Sequence, residues 1–286
     1  MTKNRQQNQW QQCWQNDMCH SALRASLKLT LIVTTALVLL PLYLLTYGFG
    51  TKCRRAFSLP FFKVCLTCAG LDLKITGFAN TDGVNFYISN HVSYLDIPIL
   101  ASLRHGLFVA KTDVASWPFI GFLAKITRTH FVSRKATDTL RERKNISHSL
   151  ENGDAIFLFP EGSSSNGLDI LPFKSGLLST ALLPLKSSNI VIQPISIIYG
   201  PEISPQERDY YAWYGDMDLC PHIWQLLGRK EKLEVIVTFH KSRCPSTFND
   251  RKDLTKWAEQ EIRSGLENEL LTHPENINLQ PLRNQL

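Results

Sequence analysis

The chain has 286 residues, 44% of them hydrophobic, and a formal net charge of +6. That length suits one large domain with an appendage rather than two full domains, and the apolar fraction suffices for a sizeable core, which excludes a disordered or fibrous chain. Up to residue 63 the charged side chains are Lys3, Arg5, Arg24, Lys28, Lys52, Arg54, Arg55 and Lys63 against the single acid Asp17, and no recognised nucleic-acid motif follows, so the bias points to an anionic membrane surface.

Residues 1–23 are rich in Gln and Asn and read as a polar tail, with its boundary set at 1–24. Leu29–Tyr47 carries no charge over nineteen residues, a candidate transmembrane span at 29–47. Basic residues flank both ends and Pro41 lies inside, so a spanning helix and an in-plane or hairpin arrangement both stay open. No small-residue cleavage site closes the run, which argues against a signal peptide. Phe57–Leu71, interrupted by Lys63, suits a helix at the membrane interface. Together 25–71 form a membrane-associated helical segment. Seven cysteines, an odd number at irregular spacing, argue against a disulfide framework, and reduced thiols are the expectation. Cys65 and Cys68 form a CxxC with no second pair, which reads as two small apolar residues on a helix face.

From residue 72 short β-rich runs alternate with helical stretches. The strands expected are Val84–Ser89, Leu107–Ala110, His130–Ser133, Ala155–Phe159, Ile190–Ile198 and Leu233–Phe239. The helices expected are Ser93–Leu103, Asp113–Ile126, Thr137–Glu151, Gly176–Leu185 and Leu254–Leu271. This alternation predicts an α/β domain over 72–272 with a mostly parallel sheet flanked by helices, followed by an irregular tail at 273–286.

Four stretches carry residues able to do chemistry. His91 and Asp96 sit just past the first of these strands. A capping box with Ser93 as N-cap accounts for Asp96 but not for His91. In the catalytic reading the carboxylate bonds one ring nitrogen and leaves the other as a base. Arg134 follows the strand HFVS. Phe159-Pro-Glu161-Gly162 closes the strand AIFLF in a turn, at the strand end where α/β sheets place ligands. A serine-rich loop opens at Ser163, and Lys174 precedes a further helix, where a cation suits an anionic ligand. Tyr210–Asp218 holds clustered aromatics with Asp216 and Asp218, read as a structural or head-group-contacting loop rather than a metal site.

In order and spacing NHVSYLD, THFVSR, FPEGSSSNG and VIQPISI resemble the glycerolipid acyltransferase family, which includes the 1-acylglycerol-3-phosphate acyltransferases. The resemblance implies His91 as general base and Asp96 as its orienter. It implies Arg134, Glu161 and Gly162 around the acyl acceptor, and Pro194 near the acyl-donor site; Ser163 and Lys174 join the acceptor-binding candidates from their places in the loop and before the helix. It implies no metal and no cofactor, with acyl-ACP or acyl-CoA as co-substrate. One departure stands out. The family's FPEG block usually supplies an arginine where this chain has Ser164, so a phosphate would lose a bidentate partner. The serine-rich form resembles the bacterial branch that includes lyso-ornithine lipid acyltransferases.

The leading expectation is an O-acyltransferase on the cytoplasmic face of the bacterial inner membrane. It would move an acyl chain from a thioester to the hydroxyl of a lysolipid, 1-acyl-sn-glycerol-3-phosphate first, lyso-ornithine lipid as the alternative. A lipid hydrolase would want a G-x-S-x-G elbow, which does not occur. A non-enzymatic membrane-anchored lipid-binding protein would leave His91 and Glu161 unexplained.

Overall fold

The computed structural model describes residues 21–49, 51–117, 119–133, 138–184 and 189–271. It divides into two units, one reaching to Asp72 and including Asp216–Glu234, the other comprising Leu73–Gly215 and the chain from Val235.

In the first unit α1 (Ala22–Leu45) carries the apolar run, with Pro41 inside it, and ends in a 3-10 turn at Thr46–Gly48. The Ser21 side chain caps its start by accepting from Arg24 N. Helix α2 (Thr51–Ala69) follows. A third helix, Leu219–Gly228, comes from far along the chain (α8 in the numbering used below). It lies beside α1: the Ser21 N–H and the Arg24 guanidinium both donate to the Gly228 carbonyl, and Lys28 Nζ donates to that of Arg229. These cations meet carbonyls left unpaired at the end of that helix.

The second unit is built on a seven-stranded sheet. In chain order the strands are β1 (Leu71–Gly77), β2 (Val84–Ser89), β3 (Leu107–Lys111), β4 (His130–Val132), β5 (Ile156–Leu158), β6 (Ile190–Tyr199) and β7 (Leu233–Phe239). Across the sheet they run β1-β7-β6-β2-β5-β3-β4. The β6–β2, β2–β5, β5–β3 and β3–β4 pairs are parallel, and β6–β7 is antiparallel. The remaining helices are α3 (Asp96–Leu103), α4 (Ile120–Ile126), α5 (Thr139–Glu151), α6 (Ser175–Leu178) and α7 (Pro205–Arg208), then α8 above and α9 (Arg251–Leu271).

Strands covered on both faces read as unbroken apolar runs rather than alternation. β6 is the clearest case, buried at every position. On one face Phe86, Ile88, Ile156, Leu158, Ile192 and Ile198 pack with Ile146 and Leu150 of α5 and with Leu254, Ala258, Ile262 and Leu266 of α9. The α9 residues recur every four positions, one face of the helix. The alternate residues point the other way. There Tyr87, Phe157 and Phe108 stack, with ring centroids 4.7 Å and 4.8 Å apart.

The six expected strands form, within a residue or two of their predicted ends. β1, an edge strand, was not anticipated, although LDLKIT alternates apolar and polar residues with the period of a half-exposed strand. The single helix expected over Asp113–Ile126 is instead a 3-10 turn at Thr112–Ser116 followed by α4. Trp117 is extended, as residues before proline prefer, and Phe119 has φ 62°. The helix expected over Gly176–Leu185 is α6 followed by a 3-10 turn at Ser179–Leu182, and Leu185 lies outside the described residues. Thr137 also lies outside them, and α5 begins at Thr139.

Candidate active site

Ile88 is in register with Leu158 of β5 and with Pro194 of β6, so the three parallel strands deliver their C-terminal ends to one edge of the sheet. In an open α/β sheet this is where ligands bind. The chain leaves β2 through Asn90, whose side-chain amide continues the ladder with β6. Its Nδ2 donates to the Ile197 carbonyl at 2.9 Å, and its Oδ1 accepts from Ile197 N at 2.8 Å. The backbone is thereby fixed one residue before His91.

His91 is held from four sides. Its N–H donates to Glu161 Oε1 at 2.7 Å, and its carbonyl accepts from Ser165 N at 2.9 Å. Its ring stacks on Phe159, centroids 4.4 Å apart. Its Nδ1 lies 2.7 Å from Asp96 Oδ2. With Nδ1–H donating to the carboxylate, Nε2 keeps its lone pair, and the side chain is 21% exposed. An imidazole so held can take a proton from a hydroxyl brought to that open side.

Asp96 is fully buried. Its Oδ2 also accepts from Val92 N at 2.8 Å and Ser93 N at 3.1 Å, and its Oδ1 accepts from the Tyr199 hydroxyl at 2.7 Å. Only half of the expected capping box forms, Asp96 accepting from Ser93 N without the reciprocal bond from Ser93 Oγ. Leu95 is the N-cap of α3, in helical conformation and with no side-chain bond. Ser93 Oγ is buried without a hydrogen-bond partner. The carboxylate reaches backward over its own turn instead, because Asp96, not Ser93, opens the helix.

Glu161 is 2% exposed, and both its oxygens are engaged by backbone: Oε1 by His91 N, Oε2 by Leu171 N at 2.8 Å. Burial pushes its carboxyl up to about 7, against the lowering effect of those two donors. Gly162 has φ 68°, and a Cβ there would lie 2.7 Å from Lys174 Nζ, so the lysine crosses the turn where only glycine leaves room. Lys174 N donates to the Pro160 carbonyl at 2.9 Å, fastening its segment to the FPEG turn. Ser163 is exposed beside them.

His91, Asp96, Glu161, Gly162 and Lys174 are thus gathered around the ends of β2 and β5. Pro194 is buried inside β6, in register with Ile88, and its carbonyl accepts from His240 N. Arg134 lies outside the described residues. The aromatic loop packs on the turn after His91: Trp213 N donates to the Val92 carbonyl at 3.0 Å, and its indole meets Tyr94 and Trp117 edge-on. Nearby, Asp209 accepts from the Tyr214 hydroxyl, and burial pushes its carboxyl up to about 6. Sequence reasoning missed Asn90 and Tyr199. A polar residue directly before the histidine was the available signal for the first. The second ends an apolar strand and looks like core.

A family model described as Acyltransferase matches residues 74–198. The chain is 33% identical over 256 residues to a lyso-ornithine lipid O-acyltransferase of Rhizobium meliloti (strain 1021), covering 87% of each chain. It is 28% identical over 177 residues to a 1-acyl-sn-glycerol-3-phosphate acyltransferase of Neisseria gonorrhoeae, covering 62% of this chain and 67% of that one. Among solved structures, the 1-acyl-sn-glycerophosphate acyltransferase PlsC of Thermotoga maritima superposes with a TM-score of 0.64 at 22% identity, over 86% of this chain and 95% of that one, a likeness of fold.

Proposed function

The chain belongs to the acyltransferase family, and on that premise we propose that it esterifies the free hydroxyl of a lysolipid with His91 as its base. The observation that carries this reading is the contact between His91 Nδ1 and Asp96 Oδ2 at 2.7 Å, at the parallel strand ends. In the proposed step His91 Nε2 takes the hydroxyl proton as that oxygen attacks the thioester carbonyl. The C–S bond of the tetrahedral adduct then breaks, and the imidazolium returns the proton to the departing sulfur. Asp96 stabilises the imidazolium between the two events. Products are an ester and a free thiol, and acyl-ACP or acyl-CoA serves as donor.

Two acceptors each have support. For 1-acyl-sn-glycerol-3-phosphate, Lys174 over Gly162 offers a cation at the turn, and Arg134, which follows β4, offers a second. Lyso-ornithine lipid is favoured by Ser164, which withholds the guanidinium a phosphate would use, and by the Rhizobium relative. For location, α1 is apolar and long enough to cross a bilayer, and 17% of its most apolar stretch is buried. This supports attachment to the membrane; the proposed side for the catalytic unit is the cytoplasmic face.

The test is acyl transfer by the full chain in detergent, offered radiolabelled acyl-ACP or acyl-CoA with either lysolipid. Labelled diacyl product that requires the acceptor is expected, and His91→Ala should lower it by on the order of 10³-fold. Free fatty acid released without acceptor would replace this reading with a hydrolase, and binding without turnover with a lipid-binding protein. The acceptor that yields product decides between the two head groups. Asp96→Asn should lower kcat by on the order of 10²–10⁴-fold with the fold retained, by analogy with triad aspartates.

A further inference from the structure

Tyr199 is the last residue of β6 and is 1% exposed. It belongs to none of the four blocks, yet its hydroxyl donates to Asp96 at 2.7 Å. The partition of the carboxylate is clear. Oδ2 serves His91 and two backbone N–H groups, while Oδ1 is given to Tyr199.

The sheet register explains how the phenol reaches this position. Ser89, the end of β2, pairs with Ile195, so β6 runs four residues further, ending at Tyr199. That stretch stays paired with β7, Tyr199 in register with Val235, and is tied at two further points. Asn90 pairs with Ile197 in both directions, and Arg208 donates to the Tyr199 carbonyl at 2.7 Å. Arg208 is itself 1% exposed, a buried guanidinium committed to the end of this strand.

We propose that Tyr199 is a positioning residue of acyl transfer: its hydroxyl pins Oδ1 and so presents Oδ2 to His91 Nδ1 in one orientation. A carboxylate can rotate and offer either oxygen, and a buried donor on one of them removes that freedom. This inference rests on the reading of His91 and Asp96 as base and orienter. The competing explanation is that a buried tyrosine merely needs an acceptor for its hydroxyl. In that case its loss would lower stability and leave the chemical step alone.

A double-mutant cycle separates the two, using the full chain in detergent with acyl thioester and lysolipid. Tyr199→Phe keeps the ring and removes the donor. It should lower kcat tenfold to a hundredfold and leave both KM values within about twofold. In the Asp96→Ala background the same change should alter kcat less than twofold, because the oxygen through which it acts is gone. An equal loss in both backgrounds, or an unchanged kcat in Tyr199→Phe, would overturn the proposal. Should Tyr199→Phe fail to fold, 3-fluorotyrosine at position 199 changes the acidity of the donor with little change in volume. A shift in kcat at constant KM is then expected, and kcat within twofold of wild type would overturn it. Wild-type turnover by Asp96→Ala alone would sink the underlying dyad reading, and the cycle reports that result separately.

Discussion

Glu161 is a buried carboxylate under opposing influences. Desolvation disfavours its charge, while backbone donors from Leu171 and His91 favour it, and desolvation is the larger, lifting the carboxyl from 4.5 to about 7. Between those values the folded chain keeps a proton that the unfolded chain has lost. Stability therefore falls as pH rises from the ordinary carboxylate range to about 7, and is flat above it. The size is on the order of 2–3 kcal/mol. Glu161→Gln removes this titration and also one of two acceptors, so it should cost about 1–3 kcal/mol at pH 5 and close much of the gap to wild type at pH 8. Thermal unfolding of both proteins at the two pH values checks this. Comparing the pair cancels Asp209, which burial moves in the same direction. An identical pH slope in the variant would exclude Glu161 as the source. At this scale the sequence was legible where a residue type was costly to place, as with an acid at the end of an apolar strand. It marked Glu161 as functional without revealing that both oxygens hold backbone. Tyr199 was illegible because its partner is 103 residues away and its own neighbours are core.

Elements were legible in proportion to how completely they are buried. Runs such as IVIQPISIIY announce a strand covered on both faces, whereas the signal of β1 is the short alternation LDLKIT at a sheet edge, which has the period of a strand and was passed over. The helix Leu219–Gly228 was missed because Pro221 and His222 interrupt its apolar run, although proline is tolerated in a first helical turn. The break before α4 follows from one proline, and the start of α3 from one carboxylate turning backward. The FPEG turn shows how tightly an element can constrain a residue. Gly162 sits at φ 68° under the Lys174 ammonium. Gly162→Ala should cost about 1 kcal/mol in backbone strain and displace the lysine, whose flexible end yields more easily than backbone would. If Lys174 contacts the acceptor head group, KM for the lysolipid should rise several-fold while KM for the thioester holds. A variant less stable but with both KM values unchanged would remove Lys174 from the acceptor site. Gly121 gives a contrasting case. A Cβ there would lie 2.6 Å from the Ala115 carbonyl oxygen and 2.8 Å from that of Val114, both backbone. Gly121→Ala should therefore destabilise by about 1–3 kcal/mol without this selective effect on KM.

For the whole molecule the open question posed by the sequence is how the chain meets a bilayer. The first unit holds the one helix among the described residues that is long and apolar enough to cross a membrane. Its helix α1 spans 24 residues, about 36 Å at the helical rise, more than a hydrocarbon core requires. Leu27, Leu31, Leu37 and Val38 stand 63%, 50%, 67% and 59% exposed. Solvent offers no reason to keep such a surface, whereas lipid does. The second unit has a core of its own, so its α/β fold does not depend on the same surface. These facts lead to opposite expectations for one variant. Leu31→Lys with Val38→Lys places two charges on the exposed side of α1. In a bilayer each costs about 2.5–3.5 kcal/mol on insertion scales, so the doubly substituted chain should leave the membrane pellet on alkaline carbonate extraction while wild type stays. Were α1 an ordinary surface helix, the same lysines would cost little and improve solubility, and wild type itself would be found in the soluble fraction without extraction. Activity toward lysolipid in detergent should survive the double substitution, because His91 and Asp96 are held by β2, β5 and β6 and not by α1. Loss of membrane retention with turnover intact would assign α1 to anchoring alone, and loss of both would tie the first unit to the chemistry.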